Sequence, residues 1–289
     1  MKKLFALAAL FIIFAFVLSA CGGAKFDTSK NVTIVAREDG SGTKDAFMEL
    51  IGLKGKPDPK KNISIQTGTA AVLTEVKGNP AAIAYESLGY ANDPGVKILK
   101  VDGVEATAAN CKSGTYKIAR PFSVVYKEAT LDDAAAKAFF DFLKSDGAQK
   151  IIIEEGYVSI ADGAAYTISD GALAGTVNLS GSTSVKPLMD ELVVEFKKLQ
   201  PNITVNVAGG GSGQGYKDSE AGVSEFGMIS AVYKPEDAPS CTYYTIAQDG
   251  IAVIVHKDNP LDNITSEQLK NIYDAEAEKS PVWSDFIYE

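Results

Sequence analysis

Three short stretches hold the residue types best suited to chemistry: Arg37-Glu38-Asp39-Gly40-Ser41-Gly42-Thr43, Ser180-Gly181-Ser182-Thr183-Ser184, and Gly209-Gly210-Gly211-Ser212-Gly213-Gln214-Gly215. Each follows a strand-like apolar run and precedes a helix-like one. The first turn of a helix leaves backbone N–H groups unpaired, and the macrodipole adds partial positive charge at the same place. Glycine lets an oxyanion come close to the backbone, and serine and threonine hydroxyls add donors. A tetrahedral oxyanion can be held in this way with little net positive charge. Taken singly, such a turn is a helix cap; three at equivalent strand ends point to an anion site. Arg37 adds a guanidinium fork that grips an oxyanion through two parallel hydrogen bonds. Asp39, two residues on, is in position to pin that guanidinium, although an exposed pair of this kind contributes little.

Other chemistries fit less well. No GxxxxGK[ST] pattern is present, so none of these turns is a P-loop. Gly40-Ser41-Gly42 has no adjacent base to activate the serine. The chain carries one histidine, His256, which nearly excludes a mechanism that needs a histidine base or a multi-histidine metal site. The expectation is a binding protein that is not an enzyme and needs no metal or cofactor.

The elements that must position these turns alternate along the chain. Strands are expected at 31–36, 81–85, 96–101, 118–126, 175–179, 203–208, 226–230 and 251–256. Helical apolar spacing covers 44–51, 69–77, 131–144, 147–155, 185–199, 216–221 and 266–273. This alternation predicts an α/β class with mixed, mainly parallel sheets flanked by helices.

Composition sets further bounds. The chain has 289 residues, 46% hydrophobic and 22% charged, the make-up of a globular protein. Lys2 and Lys3, the apolar run 4–17, and Leu18-Ser19-Ala20-Cys21 form a secretory signal of the usual three parts. Leu-Ser-Ala-Cys resembles the bacterial lipobox, which implies a lipid on Cys21, an exported location at the outer face of the cytoplasmic membrane, and a tether over 21–30. Removal of residues 1–20 takes away two lysines and no acidic residue, leaving a net charge of −11. That charge argues against nucleic acid as a partner, because phosphate backbones need basic surface. It also means that an anion site here must rely on aimed donors rather than on overall charge. Cys111 and Cys241 remain, either as a disulfide, which an exported setting permits, or as separate thiols.

On these residues the chain resembles the substrate-binding proteins of phosphate ABC importers, two-lobed type II periplasmic-binding-protein folds with a hinge of two crossing strands. Arg37 to Thr43 is similar to the family's phosphate loop, which implies contacts from Arg37, Ser41, Gly42 and Thr43. Ser180 to Val185 resembles another family loop and implies contacts from Thr183 and Ser184. Gly210-Gly211-Ser212-Gly213 implies one from Ser212, with Gly213 and Ser230 as secondary candidates. Two departures stand out. The two halves come in swapped order relative to the usual member, a circular permutation of the kind tolerated when chain ends lie together at the surface. The resemblance then implies a continuous lobe I over 116–247 and a lobe II split into 31–115 and 248–289. Ala231 also stands where the family usually has a charged residue, so Asp39 or Asp249 becomes the candidate acceptor for the ligand's proton. The implied partners are inorganic phosphate and a membrane permease, with the protein a monomer. Another tetrahedral oxyanion (sulfate, molybdate or tungstate), or a phosphate-sensing lipoprotein, is the alternative.

Overall fold

The computed structural model describes residues 26–161, 163–167, 173–277 and 279–287. The expected signal segment 1–20 and Cys21 lie outside them. The order begins β1 (Thr33–Arg37), α1 (Gly42–Leu50), β2 (Ile63–Gln66), α2 (Thr69–Gly78), β3 (Ala82–Ser87), β4 (Val96–Ile98), β5 (Lys100–Val101), α3 (Ala108–Lys112) and β6 (Ala119–Tyr126). It continues with α4 (Ala134–Leu143), α5 (Asp146–Glu154), β7 (Val158–Ser159), β8 (Gly175–Gly181), α6 (Lys186–Leu199), β9 (Ile203–Gly209) and α7 (Ser212–Ala221). It ends with β10 (Phe226–Ile229), β11 (Thr242–His256), β12 (Asn263–Ile264) and α8 (Ser266–Tyr273).

The sheet runs in the order β2-β1-β3-β11-β6-β10-β8-β9. β1 pairs in parallel with β2 and β3, and β8 pairs in parallel with β9 and β10. Between these two parallel groups lie the antiparallel partners β11 and β6. β11 is 15 residues long, a reach of roughly 50 Å. Its first part pairs with β6 and its last part, Ile251 to Val255, pairs with β3. The register places Asp249 opposite Arg120 and Gly250 opposite Ala119, where both strands leave one group of strands for the other.

The apolar cores divide the same way. One cluster draws only on residues between Phe122 and Ala247, with Phe139, Phe142, Leu192, Phe196 and Phe226 at its centre. Two others pack on opposite faces of β1, β3 and β11, one around Phe47, Tyr85, Tyr273 and Trp283, the other around Val72, Val76 and Ile254. Phe47 stacks on Tyr85 at 4.0 Å, and Phe26 meets the edge of Trp283 at 5.8 Å. The chain start is joined to the chain end there, since Val32 N–H donates to Pro281 O (2.9 Å) and Ser284 N–H to Thr28 O (2.8 Å). Each side thus buries its own core, and two crossing strands connect them, as in a two-lobed binding fold.

Several elements differ from the expectation. Helix α7 begins at Ser212, four residues before the expected start, because its glycines serve contact rather than flexibility. A Cβ on Gly215 would lie 2.6 Å from Met228 O, so glycine lets α7 lie directly on β10. The stretch 96–101 divides into β4, which joins the large sheet, and β5, which pairs with β12. β2 and the start of β11, residues 242–245, were not expected, since their residues are polar or only partly covered. Among the described residues no helix is long and apolar enough to cross a membrane. Cys111 and Cys241 are free thiols, the first buried.

Candidate functional site

Four helix starts, two from each lobe, meet between the two parallel strand groups. Each follows a glycine with positive φ: Gly40 before α1, Gly68 before α2, Gly181 ahead of α6 and Gly211 before α7. At these positions the chain turns from strand into helix through a conformation that a side chain would strain. The turns are drawn together by direct bonds across the lobes. Thr43 Oγ1 and Ser184 Oγ are 2.8 Å apart, and Gly213 N–H donates to Gly40 O at 3.0 Å. Thr69 Oγ1, at the first position of α2, lies 3.3 Å from Thr183 Oγ1 and 3.4 Å from Ser184 Oγ. Gly42 fits so closely that a Cβ there would sit 2.2 Å from Ser212 Oγ and 2.8 Å from Ser230 Oγ.

Arg37 ends β1, and its side chain is only 1% exposed. Its Nε and Nη2 donate to Glu38 Oε2 and Oε1 at 2.9 and 3.0 Å, and Nη2 also donates to Thr183 Oγ1 at 2.9 Å. Burial opposes the guanidinium charge, but the Glu38 hydrogen bond and the Glu86 and Glu38 charges outweigh it and raise Arg37 above its ordinary value. Burial also pushes Glu38 up, yet the Arg37 hydrogen bond and charge hold its carboxyl below the usual range. Glu38 Oε2 further accepts from Gly68 N–H (3.2 Å), which ties Arg37 to the start of α2.

On the other lobe, Ser182 Oγ donates to Ser230 Oγ at 2.8 Å. Ser230 N–H donates to Ser212 Oγ at 3.1 Å, and the two hydroxyls are 3.4 Å apart. Ser182 Oγ also accepts from Ser184 N–H and Val185 N–H, both at 3.3 Å, closing the turn into α6. The expected contact residues Arg37, Ser41, Gly42, Thr43, Thr183, Ser184 and Ser212 therefore lie in one place. Ser41 does so as the cap of α1, where Oγ accepts from Lys44 N–H at 3.3 Å.

Other expectations need correction. Asp39 does not pin Arg37. β1 ends at Arg37 and the chain turns at Asp39-Gly40, so the same-face spacing of a strand is broken. Asp39 points outward, 99% exposed, and pairs with Lys44 at 2.8 Å; its place beside the guanidinium is taken by Glu38. Asp249, the other candidate acceptor, is part of the continuous β11. It is buried, and its Oδ2 accepts from Arg120 Nη2 at 3.1 Å. Arg120 Nη1 in turn donates to Ser230 O at 3.0 Å, so the pair lies behind the site. Burial, opposed by Arg120, pushes Asp249 up to about 6. Gly213 spends its N–H on Gly40 rather than leaving it free for a ligand.

Sequence reasoning missed Thr69 and Glu86. Thr69 follows Gly68 at the end of β2 and repeats the glycine-threonine pattern of the other turns. Glu86 directly follows the apolar run Ala81-Ala82-Ile83-Ala84-Tyr85 in the same buried strand, and an ionisable residue there is rare without a partner. Among the described residues no group of three or more His, Cys, Asp or Glu side chains could hold a metal. What the arrangement offers is donors: one guanidinium, several hydroxyls and four helix starts.

A PBP superfamily domain matches residues 25–147 and 167–286. Phosphate-binding protein PstS 2 of Streptococcus agalactiae is 34% identical over 278 residues, covering 93% of this chain and 92% of that protein. The crystal structure of a phosphate-binding protein of a phosphate ABC transporter from Streptococcus pneumoniae TIGR4 superposes with a TM-score of 0.70 at 31% identity, covering 89% of this chain and all of that one. Phosphate-binding protein PstS of Bacillus subtilis is 35% identical over 135 residues, 46% of this chain and 43% of that protein.

Proposed function

The chain belongs to the PBP superfamily, in the family of the streptococcal phosphate-binding proteins, and from that membership we propose that it captures inorganic phosphate between its lobes for an ABC importer. Lobe II, 31–115 with 248–289, presents Arg37, Ser41, Gly42 and Thr43. Lobe I, 116–247, presents Thr183, Ser184 and Ser212. The observation that carries the reading is the bonding of Arg37 and Thr43 of one lobe to Thr183 and Ser184 of the other. A phosphate bridging these groups favours the closed arrangement over the open one by its differential affinity. β6 and β11 are the hinge strands. The function is binding without a chemical step, and the closed form is what a membrane permease receives.

The swapped order of the halves is supported by the extents of the matches. The S. agalactiae protein aligns along nearly its whole length, whereas the B. subtilis match stops below half of each chain. A lipid on Cys21 of a monomeric protein completes the reading. Phe26 is only five residues further on and already packs on Trp283, so lobe II would stand next to the bilayer.

The test is calorimetric titration of the chain from Cys21 onward with phosphate and with sulfate, wild type beside Arg37→Ala. One phosphate per chain is expected. Losing the charge-assisted contacts of Arg37 should cost about 2 kcal/mol or more, roughly thirtyfold in affinity. An unchanged dissociation constant in Arg37→Ala would refute the assigned role.

A further inference from the structure

A buried arginine behind the anion site has no part in that mechanism. Arg120 lies on β6, 2% exposed, with its guanidinium carbon 5.2 Å from the centre of the Phe122 ring. Nη2 and Nε donate to Asp249 Oδ2 at 3.1 and 3.4 Å, and Nη1 donates to Ser230 O at 3.0 Å. Burying such a charge is costly even when it is paired, and well-packed apolar residues in its place are often no less stable. A fork that joins the crossing of β6 and β11 to a loop of lobe I therefore calls for a reason other than stability.

Ser230 supplies that reason. It is the first residue beyond β10, whose pairing with β6 ends at Ile229 opposite Ser123 and whose pairing with β8 ends at Met228 opposite Gly181. Past the end of the ladder, the Ser230 carbonyl is taken by Arg120. The same residue sets hydroxyls of the site. Ser230 N–H donates to Ser212 Oγ at 3.1 Å, and Ser230 Oγ accepts from Ser182 Oγ at 2.8 Å. A hydroxyl has one proton to give and accepts at its lone pairs. One lone pair of Ser212 is engaged by Ser230 N–H, and one of Ser230 by the Ser182 hydroxyl. Both residues are left to give their protons, to each other across 3.4 Å or to an anion in the cleft. The peptide that Arg120 holds sets the direction of both.

We propose that Arg120 is a positioning residue of the anion site: held by Asp249 where β6 and β11 cross, it fixes the Ser230 peptide and through it aims the Ser212 and Ser230 hydroxyls at the bound oxyanion. The proposal rests on the phosphate reading and adds to it a residue that does not touch the ligand. It accounts for arginine rather than lysine at this position. A rigid planar fork serves Asp249 and Ser230 O in two fixed directions, which one ammonium on a flexible stem does not. It also puts the link between the strand crossing and the donors of lobe I in a single side chain, so that a shift at the crossing carries the Ser230 peptide with it.

The experiment is calorimetric titration with phosphate of wild type, Arg120→Lys, Ser212→Ala, the double variant and Asp249→Asn, with melting temperatures to show that each is folded. Arg120→Lys keeps the charge and loses the fork, so affinity should fall roughly tenfold or more. Because Arg120 acts through Ser212, the double variant should be no more than about threefold weaker than the weaker single variant. Losses that multiply in the double variant are two independent effects and overturn the proposal, as does wild-type affinity in a folded Arg120→Lys. Asp249→Asn loosens the hold on Arg120 while leaving its positive charge less opposed. Weaker binding is expected there. Unchanged or tighter binding would make Arg120 a distant charge or a bystander, and overturns the proposal even if Arg120→Lys does not fold. If wild type binds no phosphate, the phosphate reading itself fails and the inference goes with it.

Discussion

At the scale of the residue, the site is set by which acid holds Arg37. Two acids follow it, Glu38 and Asp39, and the sequence reading gave the second the place beside the guanidinium. The strand stops at Arg37, so Glu38 folds back on the guanidinium while Asp39 turns to solvent. The expected strand 31–36 already stops short of both acids, and the chain turns at Gly40 with a φ of +82°. The two acids should therefore behave differently on mutation. Asp39→Ala should leave phosphate affinity within about threefold, as removal of an exposed pair does. Glu38→Ala should weaken it roughly tenfold or more, because Arg37 loses the bidentate partner that fixes its orientation. Calorimetric titration of the two variants side by side checks this. Gly42→Ala gives a second test. The added methyl would meet Ser212 and Ser230 of the opposite lobe, and overpacking of about 1–3 kcal/mol should lower affinity roughly 5- to 150-fold with little change in melting temperature.

At the scale of the element, the anion turns were legible because each carries its signal in consecutive residues. Glycine, serine and threonine between an apolar strand and an amphipathic helix state a function that the chain geometry then imposes. Where helix α7 begins was less legible, since its glycines read as a loop until Gly215 and Gly227 are seen packed against each other, with a Cβ on Gly227 falling 2.1 Å from Gly215 O. The long strand β11 was half visible. Ile251 to Val255 is apolar throughout and buried, whereas Thr242 to Thr245 is polar or aromatic and only partly covered. Its middle carries the buried pair Arg120–Asp249 at the crossing between lobes. Breaking such a pair leaves an uncompensated buried charge, so Arg120→Ala should lower unfolding free energy by about 3–5 kcal/mol. Lys137→Ala, which breaks the exposed pair with Asp141 on α4, should change it by less than about 1 kcal/mol. Urea unfolding of both variants measures the contrast.

At the scale of the whole molecule, separate cores on the two sides are joined by β6 and β11, and in the proposed mechanism these lobes move as units that close on the four helix starts. The proposed swap of halves rests on the order of the loops. That Glu86 belongs with them was not legible, because its partners Arg37 and Ser184 are distant in sequence and meet it only in the fold. A ligand that binds only the folded, closed form stabilises it by mass action. Phosphate at about a hundred times its dissociation constant should add about 2.7 kcal/mol, a rise of roughly 5 °C or more in melting temperature by calorimetry. The central claim, that turns from both lobes make one anion site, is tested most directly by a crystal structure determined with phosphate. The expected result is a single phosphate within hydrogen-bond distance of Arg37, Thr43, Ser184 and Ser212 together. A phosphate held by one lobe alone, or at a place away from these residues, would contradict it.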